Sequence, residues 1–407
     1  MTRLMRCRAC LAADPLTFLC MGDHPPANSF VRPEDVPEKQ PMYPLDSQAC
    51  LTCGLIQVSD QVPDGFFEHY LYVPSSATSM HDHFAGLAGI LKKAAGDGLI
   101  VDIGCNDGLL LSACNKAGGK TLGVDPAANL AEIARSRGVN VDVGYFTHSG
   151  TARLISEYGS AKAIVTTNTF NHIGDLHDFM AGVKGWLADD GVFVIEVPWA
   201  KNLLENNEFD TIYHEHVSEF SLLSLVKLGE YFDLDVVDVH RLGVHGGSMR
   251  VFLKHAATAT PPAAIVSEML AEELDAGMLE ADTYLAFAER IRRIGVDLIA
   301  MLDQLKKDGV TVAGYGAPAK GNTLLNYFGI GPDRLDYLVD RNTLKQGLYS
   351  PGMKIPIRSP EILKENAPDV LLVLAWNFFD EIRLQQTDFA AHGGRFLVPL
   401  PYPTIVN

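Results

Sequence analysis

The sequence lacks any apolar run long enough to cross a bilayer, and it is poor in basic residues. Its longer apolar runs, such as 370–376, fall far short of the about 20 residues that a transmembrane helix needs. Lys and Arg total 33 against 50 Asp and Glu, which gives a formal net charge of -17. Because so acidic a surface repels phosphate backbones and anionic lipids, nucleic acids and membranes are not expected partners.

Low-complexity and disordered compositions are also excluded, since 47% of the residues are hydrophobic and 20% are charged. A chain of 407 residues exceeds one ordinary core, so two or three domains are expected. The first residues, M-T-R-L-M-R-C, have a basic start but no uninterrupted apolar core. A secretory signal is therefore not predicted, and the protein is expected to be cytoplasmic.

Cysteines number only seven, yet five of them lie within the first 53 residues. Cys7 and Cys10 form one C-x-x-C pair, and Cys50 and Cys53 form a second. Two such pairs facing each other predict a closed tetrahedral zinc site, which stabilises a small segment and leaves no open position for catalysis. Disulfides and simple buried cysteines are the alternatives, and a cytoplasmic setting disfavours disulfides. Cys20 lies between the pairs and is expected to be a buried thiol.

A strand, a glycine turn and a helix start follow one another at 99–111, in the order L-I-V-D-I-G-C-N-D-G-L-L-L. The continuous apolar run predicts a parallel strand that is covered on both faces. A second strand at 120–125 ends in Asp125, 23 residues (125 − 102) after Asp102. Nucleotide-binding folds use an acid at this strand tip to accept hydrogen bonds from two ribose hydroxyls.

This glycine turn reads D-x-G-x-x-x-G and lacks the middle glycine that lets a backbone approach a pyrophosphate. S-adenosylmethionine has no pyrophosphate, so the turn favours it over a dinucleotide. The alternative is a Rossmann-like domain whose site binds nothing. The candidate cofactor-binding residues are Asp102, Gly104, Asn106, Gly108, Asp125 and Asn168. Asn168 comes directly after the strand predicted at 161–167.

A cluster of titratable residues, Y-H-E-H at 213–216, follows the strand predicted at 191–197. Parallel sheets bind their ligands at this carboxyl edge, and histidine accepts protons near neutral pH. His172 follows the strand predicted at 161–167 and is expected to face the same crevice. The spacing alone leaves three alternatives open: acid–base chemistry, a structural polar network, and a divalent metal bound by His214 and His216.

The carboxyl-terminal third repeats the strand and glycine turn, after a long helix predicted over 268–307. The pattern G-x-G-x-x-A begins at 314, and a strand at 335–340 ends in Asp340, 24 residues (340 − 316) after Gly316. Such a pattern is typical of nicotinamide dinucleotide sites and favours an oxidoreductase as the rival function. Lys320, at the predicted helix start, also suits a phosphate. Two α/β units imply a cleft between them.

Taken in order, these motifs resemble those of the sugar C-methyltransferases of deoxysugar pathways. The resemblance covers nearly the whole chain and depends on the two cysteine pairs and on the segments at 70–76, 102–108, 213–216, 245–250 and 314–322. It implies an α/β protein with a small zinc-binding domain, a class I S-adenosylmethionine methyltransferase domain with a Rossmann-like fold, and a second Rossmann-like domain. The expected boundaries are 1–66, 67–260 and 261–407.

The resemblance also implies a nucleotide-linked 4-ketosugar as the substrate, methylated at the carbon next to the ketone. It implies acid–base roles for Tyr213, Glu215 and His216, with His172 across the cleft and Tyr72 in an amino-terminal active-site segment. The implied substrate-binding residues are Lys320, Asn322, His245 and Arg250.

A carbon can attack the methyl group of a sulfonium only after it has become a nucleophile. We predict that His216, oriented by Glu215, removes the proton α to the ketone, with Tyr213 as the alternative base. Tyr213 or His172 then donates a hydrogen bond to the enolate oxygen, which is worth about 3 to 4 kcal/mol. Closure of the segment near Tyr72 is expected to exclude water. The rival functions are O- or N-methylation, nicotinamide-dependent oxidoreduction of a nucleotide sugar, and a binding or assembly role without catalysis.

Overall fold

The computed structural model describes residues 5–59, 73–76 and 78–407. Within these ranges the strands form three sheets, of four, seven and six strands. Two of the sheets are mainly parallel and are flanked by helices, so the protein is an α/β protein, as the sequence predicts. Among the helices of the described part of the chain, none combines the length and the apolar character of a membrane span.

The amino-terminal unit is an antiparallel sheet built from β1 (Leu16–His24), β2 (Tyr43–Ala49) and β3 (Ile56–Val58). The first cysteine pair precedes β1, and the second lies in the turn between β2 and β3. Cys20 is exposed on β1, so the prediction that it is buried is wrong. The strand alternates, and its neighbours Leu19 and Met21 take the positions that face the core.

The central unit alternates helices and strands along the chain. Its elements are α1 (Thr78–Ala95), β4 (Leu99–Ile103), α2 (Leu109–Lys116), β5 (Lys120–Asp125), α3 (Ala128–Ser136), β6 (Val141–Val143), α4 (His148–Tyr158), β7 (Ala161–Thr167), α5 (Leu176–Trp186), β8 (Leu187–Pro198), α6 (Ala200–Glu205), β9 (Ser218–Glu219), α7 (Leu222–Glu230), β10 (Leu234–Leu242) and β11 (Ser248–His255).

The central sheet has the strand order β10-β11-β8-β7-β4-β5-β6. Its strands from β4 to β8 are parallel, while β10 and β11 form an antiparallel extension on β8. The carboxyl ends of β4, β5, β7 and β8 therefore meet at one edge, which is where parallel sheets bind ligands. The short strand β9 is not part of this sheet. It pairs with β3 and so extends the amino-terminal sheet.

The carboxyl-terminal unit contains the third sheet, in the order β14-β13-β12-β15-β16-β17. Its strands are parallel except for β17, which pairs antiparallel with β16. Its elements are α8 (Ala264–Asp275), α9 (Ala281–Lys307), β12 (Val312–Tyr315), α10 (Ala319–Phe328), β13 (Leu338–Val339), β14 (Ile357–Arg358), α11 (Ile362–Glu365), β15 (Val370–Val373), α12 (Phe379–Gln385), α13 (Thr387–Ala391), β16 (Arg395–Val398) and β17 (Thr404–Val406).

The single long helix predicted over 268–307 is wrong, because α8 and α9 are separate helices. Gly277 lies between them with a φ of +71°, in the left-handed region that ends helices. A Cβ at this position would clash with the side chain of Thr283, so only glycine fits without movement.

The hydrophobic cores do not follow the boundaries of the three units. One core packs the four zinc-motif cysteines together with the central sheet and with Leu222 and Leu225 of α7. A second core joins the amino-terminal strands to α9 and the third sheet, and there the Phe18 ring lies 5.3 Å from the Tyr284 ring. The amino-terminal unit therefore packs against both larger units.

Candidate active site

A large cavity of about 1730 Å³ lies where the three units meet. Its lining includes Asp102 and Asp125 of the central sheet edge, Cys7 of the zinc segment and Lys320 of the carboxyl-terminal unit. Pockets for one small ligand have volumes of about 300 to 1,000 Å³, so this cavity has room for two ligands side by side.

The four paired cysteines form a single cluster in which all the sulfur atoms lie within 4.8 Å of one another. Cys7 Sγ is 3.6 Å from Cys53 Sγ, and Cys10 Sγ is 3.5 Å from Cys50 Sγ. Zinc–sulfur bonds of about 2.3 Å in a tetrahedron place the sulfurs about 3.8 Å apart, so the cluster fits zinc. Four thiolates complete the coordination of the ion, which makes this a structural site.

The zinc segment contacts the part of the chain that carries the predicted acid–base residues. Arg8, between the first two cysteines, is 5% exposed, and its Nη1 donates to the carbonyls of Val58 at 2.8 Å and Val217 at 2.9 Å. Tyr231 donates its hydroxyl to the carbonyl of Cys10 at 2.8 Å. The zinc segment therefore positions the backbone next to His216.

The first glycine turn forms a backbone cradle at the carboxyl end of β4. Gly104 has a φ of +81°, and a Cβ there would clash with the side chain of Thr169. Asp125 holds the turn, because its carboxylate accepts the N–H groups of Asn106 and Ala127, both at 2.8 Å. Each carboxylate oxygen accepts more than one hydrogen bond, so Asp125 can still accept ribose hydroxyls.

Asp102 is buried in this cradle, and its Oδ1 has no hydrogen-bond partner among the residues that the structure describes. Burial, together with the nearby carboxylates of Asp125 and Glu196, raises the pKa of Asp102 to about 8. A cationic ligand would stabilise the charged form, and S-adenosylmethionine carries an ammonium and a sulfonium group. The cradle therefore fits this cofactor.

The other two predicted cofactor residues lie in different surroundings. Asn168 follows β7 and lines the cavity, with a φ of +51°. Gly108 is not among the described residues that line the cavity. It caps the start of α2 with a φ of +73°, and a Cβ there would come within 2.8 Å of the Ala134 Cβ. Its role in this structure is the close packing of α2 against α3.

Tyr213 and His216 are the ends of a tight turn, in which the His216 N–H donates to the Tyr213 carbonyl at 2.8 Å. The Tyr213 hydroxyl lies 2.5 Å from His216 Nε2, and Glu219 Oε1 lies 3.1 Å from His216 Nδ1. The His172 ring stands edge-on to the His216 ring at 4.9 Å, and its Nδ1–H donates to the carbonyl of Glu215 at 2.6 Å. Tyr213, His172 and His216 all line the cavity.

The prediction that Glu215 orients His216 is wrong. The Glu215 carboxylate accepts from the side chain of Asn28 and from its N–H at 3.4 Å, and Glu215 lies outside the described lining. Because 213–216 is a turn, adjacent side chains diverge, and the carboxylate that reaches His216 belongs to Glu219. Burial raises the pKa of Glu215 to about 7, and Asn28 partly opposes this rise.

The metal alternative for this turn finds no support in the part of the chain that the structure describes, where the cysteine cluster is the one metal-compatible group. His214 points its Nε2 at the carbonyls of Tyr43 and Pro44, at 3.2 and 3.1 Å. A divalent ion held by both histidines would need the strand geometry that this turn lacks.

Both histidines of the site are neutral at pH 7. Burial lowers the pKa of His172 to about 3, with a further contribution from His216. Burial likewise lowers the pKa of His216 to about 3, and the positive charge of Lys320 adds to the effect. A neutral imidazole is the form that accepts a proton, so His216 is in the state that a general base requires.

The predicted substrate-binding residues do not come together. Lys320 lines the cavity, with its Nζ 3.8 Å from Glu208 and 5.1 Å from the centre of the Trp376 ring. Arg250 lies outside the described lining, because its guanidinium pairs with the buried carboxylate of Glu196 at 2.8 Å. This ion pair occupies the arginine that the sequence assigns to substrate.

Three further predicted residues are placed as follows. Asn322 donates to the carbonyl of Ala27 at 2.8 Å and lies outside the described lining of the large cavity. His245 belongs to the one-turn helix Val244–Gly246 between β10 and β11. Tyr72 lies outside the described residues.

Several residues of the site are missed by sequence reasoning. For Glu219 the sequence offers only a weak indication. It lies three residues after His216, a spacing at which side chains can meet on one helical turn. Asn28 and Arg8 have none, because their partners are far along the chain. Lys345 is a third case: it lines the cavity beside the second glycine turn.

The two glycine turns are held in the same way. Asp340 accepts the N–H groups of Ala317 and Asn342, both at 2.8 Å, which repeats the pattern of Asp125 in the central unit. Lys345 Nζ lies 3.6 Å from Asp340 and donates to the carbonyl of Ala317 at 2.9 Å. The carboxyl-terminal unit is thus a second Rossmann-like unit that faces the same cavity.

Replacing Asp125 with asparagine should weaken binding of S-adenosylmethionine by about 10- to 100-fold. Hydrogen bonds to a charged group contribute about 1.5 to 3 kcal/mol, and a tenfold change corresponds to about 1.4 kcal/mol. Asp340→Asn is the matched control, because it makes the same change in the second turn. Calorimetric titration would count against the assignment if the two variants lost affinity equally.

Family models of three domains match the chain in succession. A zinc binding domain matches residues 7–66, a methyltransferase domain matches 80–239, and a C-methyltransferase C-terminal domain matches 243–401. C-methyltransferase NovU from Streptomyces niveus is 41% identical over 405 residues, which covers 98% of this chain and 96% of that protein.

Other similarities are shorter or weaker. The ubiquinone biosynthesis O-methyltransferase of Bartonella quintana is 27% identical over 97 residues, covering 24% of this chain and 39% of that protein. The structure of the CcbJ methyltransferase from Streptomyces caelestis matches with a TM-score of 0.35 at 11% identity, covering 42% of this chain and 89% of that one, which is too low for any conclusion. With its full-length relative and three successive domain matches, the chain belongs to the S-adenosylmethionine-dependent C-methyltransferases that join a zinc-binding, a methyltransferase and a C-methyltransferase carboxyl-terminal domain.

Proposed function

We propose that this C-methyltransferase acts on a nucleotide-linked 4-keto-deoxysugar, at the carbon next to the ketone, through an enolate. The observation that supports this most strongly is the shared cavity, which joins the cofactor cradle, the Tyr213–His216 pair and the second glycine turn. We also propose 1–66, 67–260 and 261–407 as the domain boundaries.

The chemistry of the cavity favours a substrate with a diphosphate at one end. Its carboxyl-terminal side is lined by Lys320, Arg341 and Lys345, although the chain as a whole has a net charge of -17. The first turn of α10 adds backbone N–H groups at the same place. A diphosphate bound here would leave the attached sugar directed towards the central sheet edge.

The acid–base pair can make the carbon nucleophilic. We assign the Tyr213 hydroxyl as the donor to His216 Nε2, so that Nε2 holds the lone pair of a neutral ring. When Nε2 takes the proton α to the ketone, the Tyr213 hydroxyl is released to donate to the enolate oxygen, a contact worth about 3 to 4 kcal/mol. S-adenosylmethionine, when bound, supplies the electrophilic methyl group.

The sequence predicts His172 as a possible donor to the enolate oxygen, and we propose a different role for it. Its Nδ1–H, the one N–H of the neutral ring, donates to the Glu215 carbonyl and is therefore not available to the enolate oxygen. Tyr213 is therefore the better donor to the enolate oxygen. We propose that His172 orients the catalytic turn through Glu215 and forms one wall of the site.

The segment before α1 helps to exclude water from the enolate. Val73 and Pro74 line the cavity, and Arg137 holds this segment, with its Nη2 donating to Ser75 Oγ at 2.9 Å. Arg137 also pairs with Asp107 at 2.9 Å, next to the cofactor turn. Water kept out at this point cannot protonate the enolate before methylation.

Deuterium exchange would test the proposal. Thymidine- and guanosine-diphosphate 4-keto-6-deoxysugars are incubated with the protein in deuterated water without S-adenosylmethionine, and exchange at the α carbon is followed by proton NMR. We expect exchange without the cofactor, and C-methylation of the same carbon once the cofactor is added. Methylation at oxygen or nitrogen without exchange would instead establish the O- or N-methyltransferase alternative.

A further inference from the structure

We propose that Glu219 is a positioning residue for His216, so that Tyr213, His216 and Glu219 work as one acid–base unit. This role rests on the proposed function, because it concerns the same proton transfer. The sequence assigns the role to Glu215, whose carboxylate lies elsewhere in the structure.

The unit is a chain of hydrogen bonds. Glu219 Oε1 lies 3.1 Å from His216 Nδ1, and the Tyr213 hydroxyl lies 2.5 Å from Nε2 on the opposite side of the ring. A neutral imidazole has one N–H and one lone pair, and a carboxylate can only accept. In its ionised form, which the positive charge of Lys320 favours, Glu219 therefore selects the tautomer with the proton on Nδ1 and leaves the lone pair of Nε2 at the cavity.

Glu219 has the surroundings of a functional rather than a structural carboxylate. It is 1% exposed, and its second oxygen, Oε2, has no hydrogen-bond partner within the described parts of the chain. Buried carboxylates that only hold a fold have their oxygens satisfied, as in Glu273, which accepts from Trp199 Nε1 at 2.5 Å and from the N–H groups of Leu222 and Leu223. A buried oxygen without a hydrogen bond lowers the stability of the folded protein. A role of the carboxylate in catalysis explains why this residue is present.

The backbone of Glu219 is fixed by a different unit from the one that binds the cofactor. Glu219 lies in β9 and pairs with Ile56 of β3, so the amino-terminal sheet sets its position. The base therefore depends on the docking of this sheet as well as on the central fold.

The charges around Glu219 come from three residues. Glu208 and Asp210 are buried acids of the same cluster, and Lys320 of the carboxyl-terminal unit is the cation that acts on all three carboxylates. Burial raises the pKa of Glu219 well above its ordinary value, and the charge of Lys320 opposes this. Once His216 takes a proton, its positive ring further favours the charged carboxylate.

The test compares Glu219→Gln with Glu273→Gln, a buried carboxylate outside the described lining of the cavity. We expect Glu219→Gln to lower kcat and the rate of α-proton exchange by about 10²- to 10⁴-fold, with KM and cofactor affinity within about twofold. Glu273→Gln should lower the melting temperature and leave kcat of the folded enzyme unchanged. Glu219→Asp, which keeps the charge, should recover part of the lost rate.

Nitrogen-15 NMR of the histidine rings gives a readout that needs no substrate. We expect the free wild-type protein to show His216 protonated on Nδ1, and Glu219→Gln to show a mixture of tautomers. The role is wrong if Glu219→Gln exchanges the α proton as fast as wild type, or if its tautomer is unchanged. If wild type shows the expected tautomer but exchanges no proton from the ketosugars, the proposed function fails, while the orientation of the His216 ring by Glu219 stands.

Discussion

Replacing His216 with asparagine should slow exchange of the α proton and methyl transfer by about 10²- to 10⁴-fold, the usual contribution of a general base. Asparagine offers no basic nitrogen, so the carbon would stay protonated even with the cofactor bound. The rate is measured by deuterium wash-in without S-adenosylmethionine, which isolates the proton transfer from methylation.

The matched control is His240→Asn, because His240 lies on β10 with 43% of its side chain exposed and outside the described lining of the cavity. This control should exchange as fast as wild type, and both variants should bind S-adenosylmethionine normally. A His216→Asn protein that folds, binds the cofactor and still exchanges at the wild-type rate would remove His216 from the reaction.

The pH dependence follows from the direction of the His216 shift. Since burial lowers its pKa to about 3, the proton-accepting form is present above that pH and is lost only as the pH falls through it. Protonation of His216 in the free enzyme should therefore not reduce exchange between pH 8 and about pH 4.

Replacing Cys53 with serine should remove zinc and lower the melting temperature of the protein by roughly 10 °C or more. Structural zinc sites contribute up to about 10 to 16 kcal/mol of folding free energy in small domains, and each kcal/mol shifts the melting temperature of a small domain by about 4 to 8 °C. The effect should be large here because the four cysteines are part of a core that includes the central sheet.

The loss of zinc should also reduce catalysis in the protein that remains folded. Arg8 lies between the cysteines Cys7 and Cys10 and holds the carbonyl of Val217, next to His216. Without the ion this loop is free to move, and the turn that carries the base loses one of its supports.

Cys20→Ser is the control, since Cys20 is exposed and outside the cluster. It should keep its zinc, its melting temperature and its rate. Zinc content measured by mass spectrometry and thermal unfolding followed by circular dichroism distinguish the two variants. A Cys53→Ser protein that melted like Cys20→Ser after complete loss of zinc would show that the ion contributes little to folding.

Much of the architecture could be predicted because its signals are local. Two C-x-x-C pairs are the ligand set of a structural zinc ion, and an acid at the tip of a second strand indicates a nucleotide-binding turn. Asp125 and Asp340 both lie at such tips, and each carboxylate accepts two N–H groups of its turn. Periodicity and turn residues also predicted strands of both parallel sheets, such as β4, β5 and β8, but missed the break at Gly277, where one glycine in a long helical pattern ends α8.

The pairing of the acid–base residues could not be predicted in the same way. Adjacent residues in a turn point in different directions, so the neighbour in sequence, Glu215, contacts Asn28, and Glu219 contacts His216. Arg250 shows the same limit, because this basic residue, which the resemblance assigns to substrate binding, forms an ion pair with the buried carboxylate of Glu196.

The sequence by itself determined that the protein has a zinc-binding segment and two nucleotide-type turns, because each depends on residues within a few positions or one supersecondary unit. Only the tertiary structure decided that both turns open into one cavity, that Glu219 rather than Glu215 faces His216, and that the zinc segment supports the catalytic turn. These contacts join residues that the chain brings together only by packing three units, and no local pattern records which partners that packing selects.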